Sequence, residues 1–238
     1  MTNRTGGRTP VRTRRAGARP APPTSTSRTT ARRTAEPAGG RAGGVVTSGA
    51  RPRLHEYYRQ LAGRFAEIGT ESVAVDYFGR TAPDDDRSEA FAFMPHVQQT
   101  TPEGVADDVA AGAEHLRGLG ATRIFTVGFC FGGGYSWRQS ADTPGLAGAI
   151  GFYGRPSSAV EVVDRMRAPL LMLVAGADAH IPVEEGAALA EAARRRVHVE
   201  HVVFEGAPHS FFDRTYAEHE QDCARAWQQI QTFLSTHG

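Results

Sequence analysis

Short apolar runs alternating with amphipathic stretches leave this chain few folds to choose from. "ESVAVDYF" (71–78), "RIFTVGF" (123–129), "LAGAIGFYG" (146–154), "APLLMLVAG" (168–176) and "VHVEHVVFEG" (197–206) read as strands. They are near-continuous apolar runs with little polar alternation, so both faces of each strand must be covered. Helical patterns lie between them. "LHEYYRQLAGRFAEIG" puts Leu54, Tyr57, Tyr58, Leu61, Phe65 and Ile68 on one stripe and stops at Gly69. "TPEGVADDVAAGAEHLRGLG" predicts a capped helix from about Thr101 to Leu119, with Pro102 at its start and Gly120 at its end. "GGGYSWRQSA" opens a helix, "PVEEGAALAEAARRR" is another, and "TYAEHEQDCARAWQQIQTFLSTHG" closes the chain as a long amphipathic one. Strands and helices in this alternation predict an α/β fold, a mostly parallel sheet with helices on both faces.

Composition removes several functions. All 27 Lys and Arg residues are arginine, which excludes a phosphate-binding P-loop, a lysine Schiff base and a serine–lysine dyad. Two cysteines, Cys130 and Cys223, make neither a disulfide framework nor a C-x-x-C metal pattern, and fit a reducing, cytoplasmic setting. No apolar run reaches the length of about 18 residues that a membrane span needs.

The net charge of +1 hides an asymmetry. Residues 1–53 carry 12 arginines and one acid, Glu36; residues 54–238 carry 15 arginines and 25 acids. The first stretch shows no helical or strand period and too little apolar surface to offset its ordering entropy, so it is expected to be a disordered basic leader. Its prolines and lack of an amphipathic stripe argue against a transit peptide, and no aromatic residue is interleaved to stack on nucleic-acid bases. The α/β domain is expected over 54–238.

In an open parallel sheet, functional groups gather at the carboxyl ends of strands. Cys130 follows "RIFTVGF" inside a G-x-C-x-G spacing, the shape of a nucleophile elbow with sulfur in place of a serine hydroxyl. Asp178 follows "PLLMLVAGA", and His209 follows "VVFEGAP". Nucleophile, acid, histidine is the chain order of an α/β-hydrolase triad. Gly128 and Gly132 leave room for a sharp turn, and a helix N-terminus behind Cys130 favours a thiolate. His209 is placed to act as base and Asp178 to hold its tautomer, while the Phe131 N–H is a natural oxyanion donor. Taken singly, each residue has a plainer reading: a packed thiol, a turn aspartate, a loop histidine. Other clusters carry less. Strand alternation sends His201 to the opposite face from His198 and Glu200, so these three make no metal site, and Cys223 reads as a packing thiol.

"GFCFGG", "AGADAHIP", "FEGAPHSFF" and "VDYFGR" (75–80) resemble the motifs of the dienelactone hydrolase family of α/β-hydrolases, over about residues 54–238. The resemblance implies hydrolysis of a lactone or ester by a Cys–His–Asp triad through a thioester acyl-enzyme, with no metal or organic cofactor. It implies a small anionic substrate such as a dienelactone, with Arg80 at a carboxylate-binding position and Arg214 one residue from a second. It also implies an apolar central strand and an acid-bearing loop just before "LHEYYRQLAGRF", the loop supplying a second oxyanion N–H. Here that stretch reads "GGVVTSGARPR", with Ala50 where the acid belongs. The first strand is therefore expected to be missing or degraded, with Val45 and Val46 at most a stub. The abrupt change of composition favours a shifted reading frame of an arginine-rich gene as its origin. Two alternatives stay open: a general carboxylesterase or thioesterase of the same fold, and an inactive hydrolase-like scaffold.

Overall fold

A computed structural model describes residues 29–30, 43–48, 54–82 and 91–238. Its strands are β1 (Thr29–Thr30), β2 (Gly43–Ser48), β3 (Thr70–Val75), β4 (Arg123–Phe129), β5 (Gly148–Phe152), β6 (Leu170–Ala175) and β7 (Val199–Phe204). The helices are α1 (Leu54–Glu67), α2 (Met94–Gln99), α3 (Pro102–Gly118), α4 (Phe131–Asp142), α5 (Val183–Arg194) and α6 (Glu220–His237). The strands form one seven-stranded sheet in the order β1-β3-β2-β4-β5-β6-β7. Only β1 is antiparallel to its neighbour among these pairs. The parallel α/β architecture read from the sequence is the one present.

The stretch "GGVVTS" corrects the expectation of a missing strand. β2 lies between β3 and β4 and is in register with both, Val46 opposite Val73 on one side and Thr126 on the other. Its two valines face opposite ways. Val45, fully buried, joins Leu61, Phe65, Phe125 and Val127; Val46 joins Val73, Val109, Ala113 and Leu116 across the sheet. Two apolar side chains suffice because the neighbouring helix comes close. A Cβ on Gly44 would lie 3.0 Å from Leu116 Cδ1 and 3.1 Å from the Ala121 Cβ. Thr47 is buried, and its hydroxyl donates to the Val73 carbonyl at 3.3 Å. Arg51 and Pro52, which make the stretch look unlike a strand, follow Ser48, where β2 ends, and lie outside the described residues. The sheet therefore draws on residues N-terminal to the boundary expected at Leu54. Of the leader expected to be disordered, Thr29–Thr30 and Gly43–Ser48 are strand, and its other residues, Ala50 among them, lie outside the described residues.

Smaller differences have local causes. Ile68 lies past the end of α1 and is 36% exposed, so it leaves the apolar stripe. The strand in "ESVAVDYF" stops at Val75 because Asp76 turns the chain: its Oδ1 accepts from the Phe78 N–H at 3.0 Å, and its carbonyl from the Gly79 N–H at 3.2 Å. α3 matches its reading, with the Thr101 hydroxyl capping the Gly104 N–H at 3.1 Å. No helix among the described residues is long and apolar enough to cross a membrane.

A central β2 has a measurable consequence. Val46→Ala should lower unfolding free energy by about 2 kcal/mol in urea titrations, the loss of two buried carbons plus the cavity they leave. Val46→Asp should leave no cooperatively folded protein. An unchanged midpoint in both variants would mean that β2 is only a stub.

Candidate functional site

The site begins with a turn that only glycines permit. β4 ends at Phe129, and Cys130 enters α4 as its N-cap with φ 53° and ψ −118°, a strained conformation for a residue bearing a side chain. Backbone crowds the turn from both sides. A Cβ on Gly128 would overlap the Gly132 carbonyl, one on Gly133 the Phe152 carbonyl, and one on Gly134 would sit 2.5 Å from the Arg155 oxygen. Hydrogen bonds fix the bend. The Cys130 N–H donates to the Phe152 carbonyl at 3.2 Å, and the Gly133 N–H to the Cys130 carbonyl at 3.0 Å. The thiol is thereby lifted above the end of the sheet, half-buried. Phe131 comes next, at the first helical position, where an N–H has no acceptor within the helix.

The other two predicted residues converge on this thiol. His209 Nε2 lies 3.1 Å from Cys130 Sγ, and its Nδ1 lies 2.6 Å from Asp178 Oδ2. Asp178 is buried at the end of β6, and its second oxygen accepts from the N–H groups of His180 and Ile181 at 2.9 and 3.2 Å. Four lone-pair directions are thus partly filled by fixed donors, which holds the carboxylate in one orientation toward the imidazole. His209 is anchored by aromatic neighbours. Phe211 and Phe212 are buried in the main core, and the Tyr153 ring lies against the imidazole with centroids 5.0 Å apart. Such a line of thiol, imidazole and carboxylate can move a proton from sulfur to nitrogen and return it. Cys223 is different in kind. It is fully buried, burial pushes its thiol up to about 12, and its Sγ faces the Phe211 carbonyl. Its surroundings are those of a packing thiol and disfavour the thiolate.

Two residues that sequence reasoning passed over lie at the site, Ser210 against the thiol and Asp213 behind it beside Ser210 and Tyr153. Ser210 Oγ is 3.3 Å from Cys130 Sγ, on a buried residue with φ 65°. Asp213 sets its carboxyl beside the hydroxyls of Ser210 and Tyr153, although its Oδ1 and the Tyr153 hydroxyl complete no hydrogen bond with a described residue. Burial raises the Asp213 carboxyl above the usual carboxylate range. The signal available in sequence was adjacency alone: both lie within four residues of His209 in "HSFFD".

The arginines stand outside the hydrogen-bonded line. Arg80 Nε and Nη2 both donate to Asp108 Oδ1, at 3.1 and 2.8 Å, and Asp108 is 2% exposed. Its turn touches the elbow through Tyr77, whose ring meets the Phe131 ring edge-on at 6.2 Å. Arg214 is tied by its backbone N–H to the Ser210 carbonyl at 2.9 Å, while its side chain is exposed.

Comparison with known proteins agrees with this architecture. The model of the dienelactone hydrolase family matches residues 34–238. A Saccharolobus solfataricus protein named "Putative carboxymethylenebutenolidase" is 30% identical over 58% of this chain and 53% of its own length. A Salmonella typhi protein of the same name is 27% identical over 78% of this chain and 74% of its own. The chain thus spans about half of the first relative and three quarters of the second. Among solved structures, a dienelactone hydrolase-like promiscuous phosphotriesterase from metagenomic libraries superposes with a TM-score of 0.70 at 21% identity. That match covers 84% of this chain and 88% of the other, and at this identity it speaks for the fold alone.

Asp213 yields a pH-dependent expectation. A carboxyl raised in the folded state contributes stability that is present below its unfolded value and is lost as pH rises through its folded value. Asp213→Asn removes the burden of ionising a buried group. The variant should therefore gain thermal stability relative to the parent at pH 7–8 and gain little or nothing near pH 4. A gain equal at both ends of this range would contradict the burial argument.

Proposed function

We propose a hydrolytic function from the premise that the chain belongs to the dienelactone hydrolase family. The reading is that it cleaves a lactone or ester through Cys130, His209 and Asp178. The observation that carries it is the continuous line from Sγ through the imidazole to the carboxylate, at 3.1 and 2.6 Å. His209 Nε2 takes the thiol proton as sulfur attacks the carbonyl carbon of the substrate. The resulting oxyanion is met by the Phe131 N–H, aided by the positive end of α4. When the intermediate collapses, the carbon–oxygen bond breaks and the departing alkoxide takes the proton from His209, leaving a thioester on Cys130. Water then attacks the thioester as His209 removes its proton, the carboxylic acid departs, and the thiol regains its proton from the imidazolium. Asp178 keeps Nδ1 protonated and stabilises the imidazolium in both halves. No metal or organic cofactor takes part in this scheme. A cytoplasmic setting fits two cysteines present as thiols and not as a disulfide.

An anionic substrate belongs to the same proposal, with Arg80 and Arg214 as the groups that attract its carboxylate. One observation favours the second reading, a general carboxylesterase or thioesterase: the buried Asp108 already pairs with Arg80 and offsets its charge. An inactive scaffold is disfavoured by the central position of β2 and by a turn that keeps its strain at Cys130.

One kinetic panel separates these readings. On an activated aryl ester and an anionic lactone, Cys130→Ala and His209→Ala should fall to background while keeping the parent's circular dichroism. Asp178→Asn should lose about 10⁴-fold in kcat, the cost of a wrong tautomer in a comparable triad. Arg80→Ala should raise KM about tenfold for the anionic lactone alone, as loss of one charge-assisted contact predicts. Equal losses on both substrates would favour the general esterase, and full activity in Cys130→Ala would end the hydrolytic reading by this thiol.

A further inference from the structure

Strand alternation predicts that His198 and Glu200 share a face while His201 points away. The structure agrees for His201, whose Nε2 sits 3.4 Å from where a Cβ on Gly186 of α5 would be. What sequence alone did not reveal is a third ligand for the other two. α6 packs along the sheet so that its last turn meets the start of β7. There the His237 ring lies 5.5 Å from the His198 ring and 4.7 Å from the Phe233 ring, centroid to centroid. The Arg123 guanidinium, at the start of β4, holds the same turn by donating to the His237 carbonyl at 3.0 Å. His198 Nε2 and Glu200 Oε1 are 3.6 Å apart, and one ligand atom from each of His198, Glu200 and His237 lies within 4.8 Å of the others.

We propose that His198, Glu200 and His237 form a divalent-cation site, of the class that binds zinc, which fastens the end of α6 to the start of the edge strand β7. Two imidazoles and one carboxylate are a borderline donor set suited to zinc, with water completing a tetrahedral shell. His237 Nε2 is buried without a hydrogen-bond partner among the described residues, an unmet demand that a cation would satisfy if coordinated there. The His198 side chain is 59% exposed, which leaves it free to close the last ångström or so needed for a common ion. The cluster belongs to the amino end of β7, whereas Cys130, Asp178 and His209 stand beyond the carboxyl ends of their strands. At about 3.3 Å per residue the six residues of β7 set the two sites on the order of 20 Å apart. The cation would therefore act on stability and not on the thiol.

The test uses the full chain without a polyhistidine tag, in a Cys130→Ala background so that zinc cannot bind the thiol and His209. After treatment with a chelator, calorimetric titration with zinc should give one equivalent bound. At zinc 100-fold above the dissociation constant, the melting temperature should rise by about 5–10 °C. Cobalt(II) in place of zinc should show the visible bands of a tetrahedral ion. His198→Ala, Glu200→Gln and His237→Ala should each weaken binding at least tenfold and abolish the rise. His198→Ala, at an exposed position, keeps the test valid even if His237→Ala disturbs the helix end. No binding at millimolar zinc, or binding unchanged in His198→Ala and Glu200→Gln, would overturn the proposal.

Discussion

The site depends on one close approach of backbone to backbone. The chain can pass from β4 into α4 only because Gly128 has no side chain where the Gly132 carbonyl sits, and Gly133 none where β5 presents the Phe152 carbonyl. That approach forces Cys130 to φ 53°, a strain of order 1–3 kcal/mol in such regions, and the same approach provides the compensation. The Cys130 N–H is bonded to β5, and the Phe129 and Phe152 rings directly beneath are stacked with centroids 4.8 Å apart. The thiol is thus held by the sheet itself and not by a loop.

From that fixed point packing sets the rest of the site. Phe152 meets Phe212 at 4.5 Å, and Phe212 closes the loop that carries His209. Tyr153, next in chain to Phe152 and itself at φ 36°, lies against the imidazole. The loops after β6 and β7 are joined where the Ala177 N–H donates to the Ala207 carbonyl at 2.9 Å, which sets the distance between Asp178 and His209. Strained residues at Cys130, Tyr153 and Ser210 all border the thiol, so the positive φ values of non-glycine residues among the described ones cluster where chemistry is proposed, and the aromatic core beneath bears their cost. β2 contributes from the other side, since it completes the sheet beside β4 and so fixes the strand that ends in the elbow.

Much of this was legible because its signals are local. The strand "RIFTVGF", the glycines around Cys130, and the placement of Asp178 and His209 after apolar runs each declare themselves within ten residues. What stayed hidden depends on contacts distant in the chain. Val45 and Val46 look too few for a strand until Leu116 and Phe65 are seen to cover them from opposite faces. The close approach of α3, with Leu116 3.0 Å from where a Cβ would stand, explains a glycine at position 44. Nothing local in "VDYFGR" shows that Arg80 pairs with the buried Asp108, 28 residues away. Ser210 and Asp213 carry no motif, and only the fold of the loop brings Ser210 to the thiol and Asp213 beside Ser210 and Tyr153. His237 joins His198 solely through the path of α6.

The central claim is that Cys130 becomes covalently acylated during turnover. Rapid mixing with an activated aryl ester, acid quench within the first turnover and mass spectrometry of the digested protein test this directly. The expected result is a mass gain equal to the acyl group on the peptide containing Cys130, removed by hydroxylamine as a thioester is. An acyl group on Ser210 or Cys223, or product formation with no acylated protein at any quench time, would contradict it.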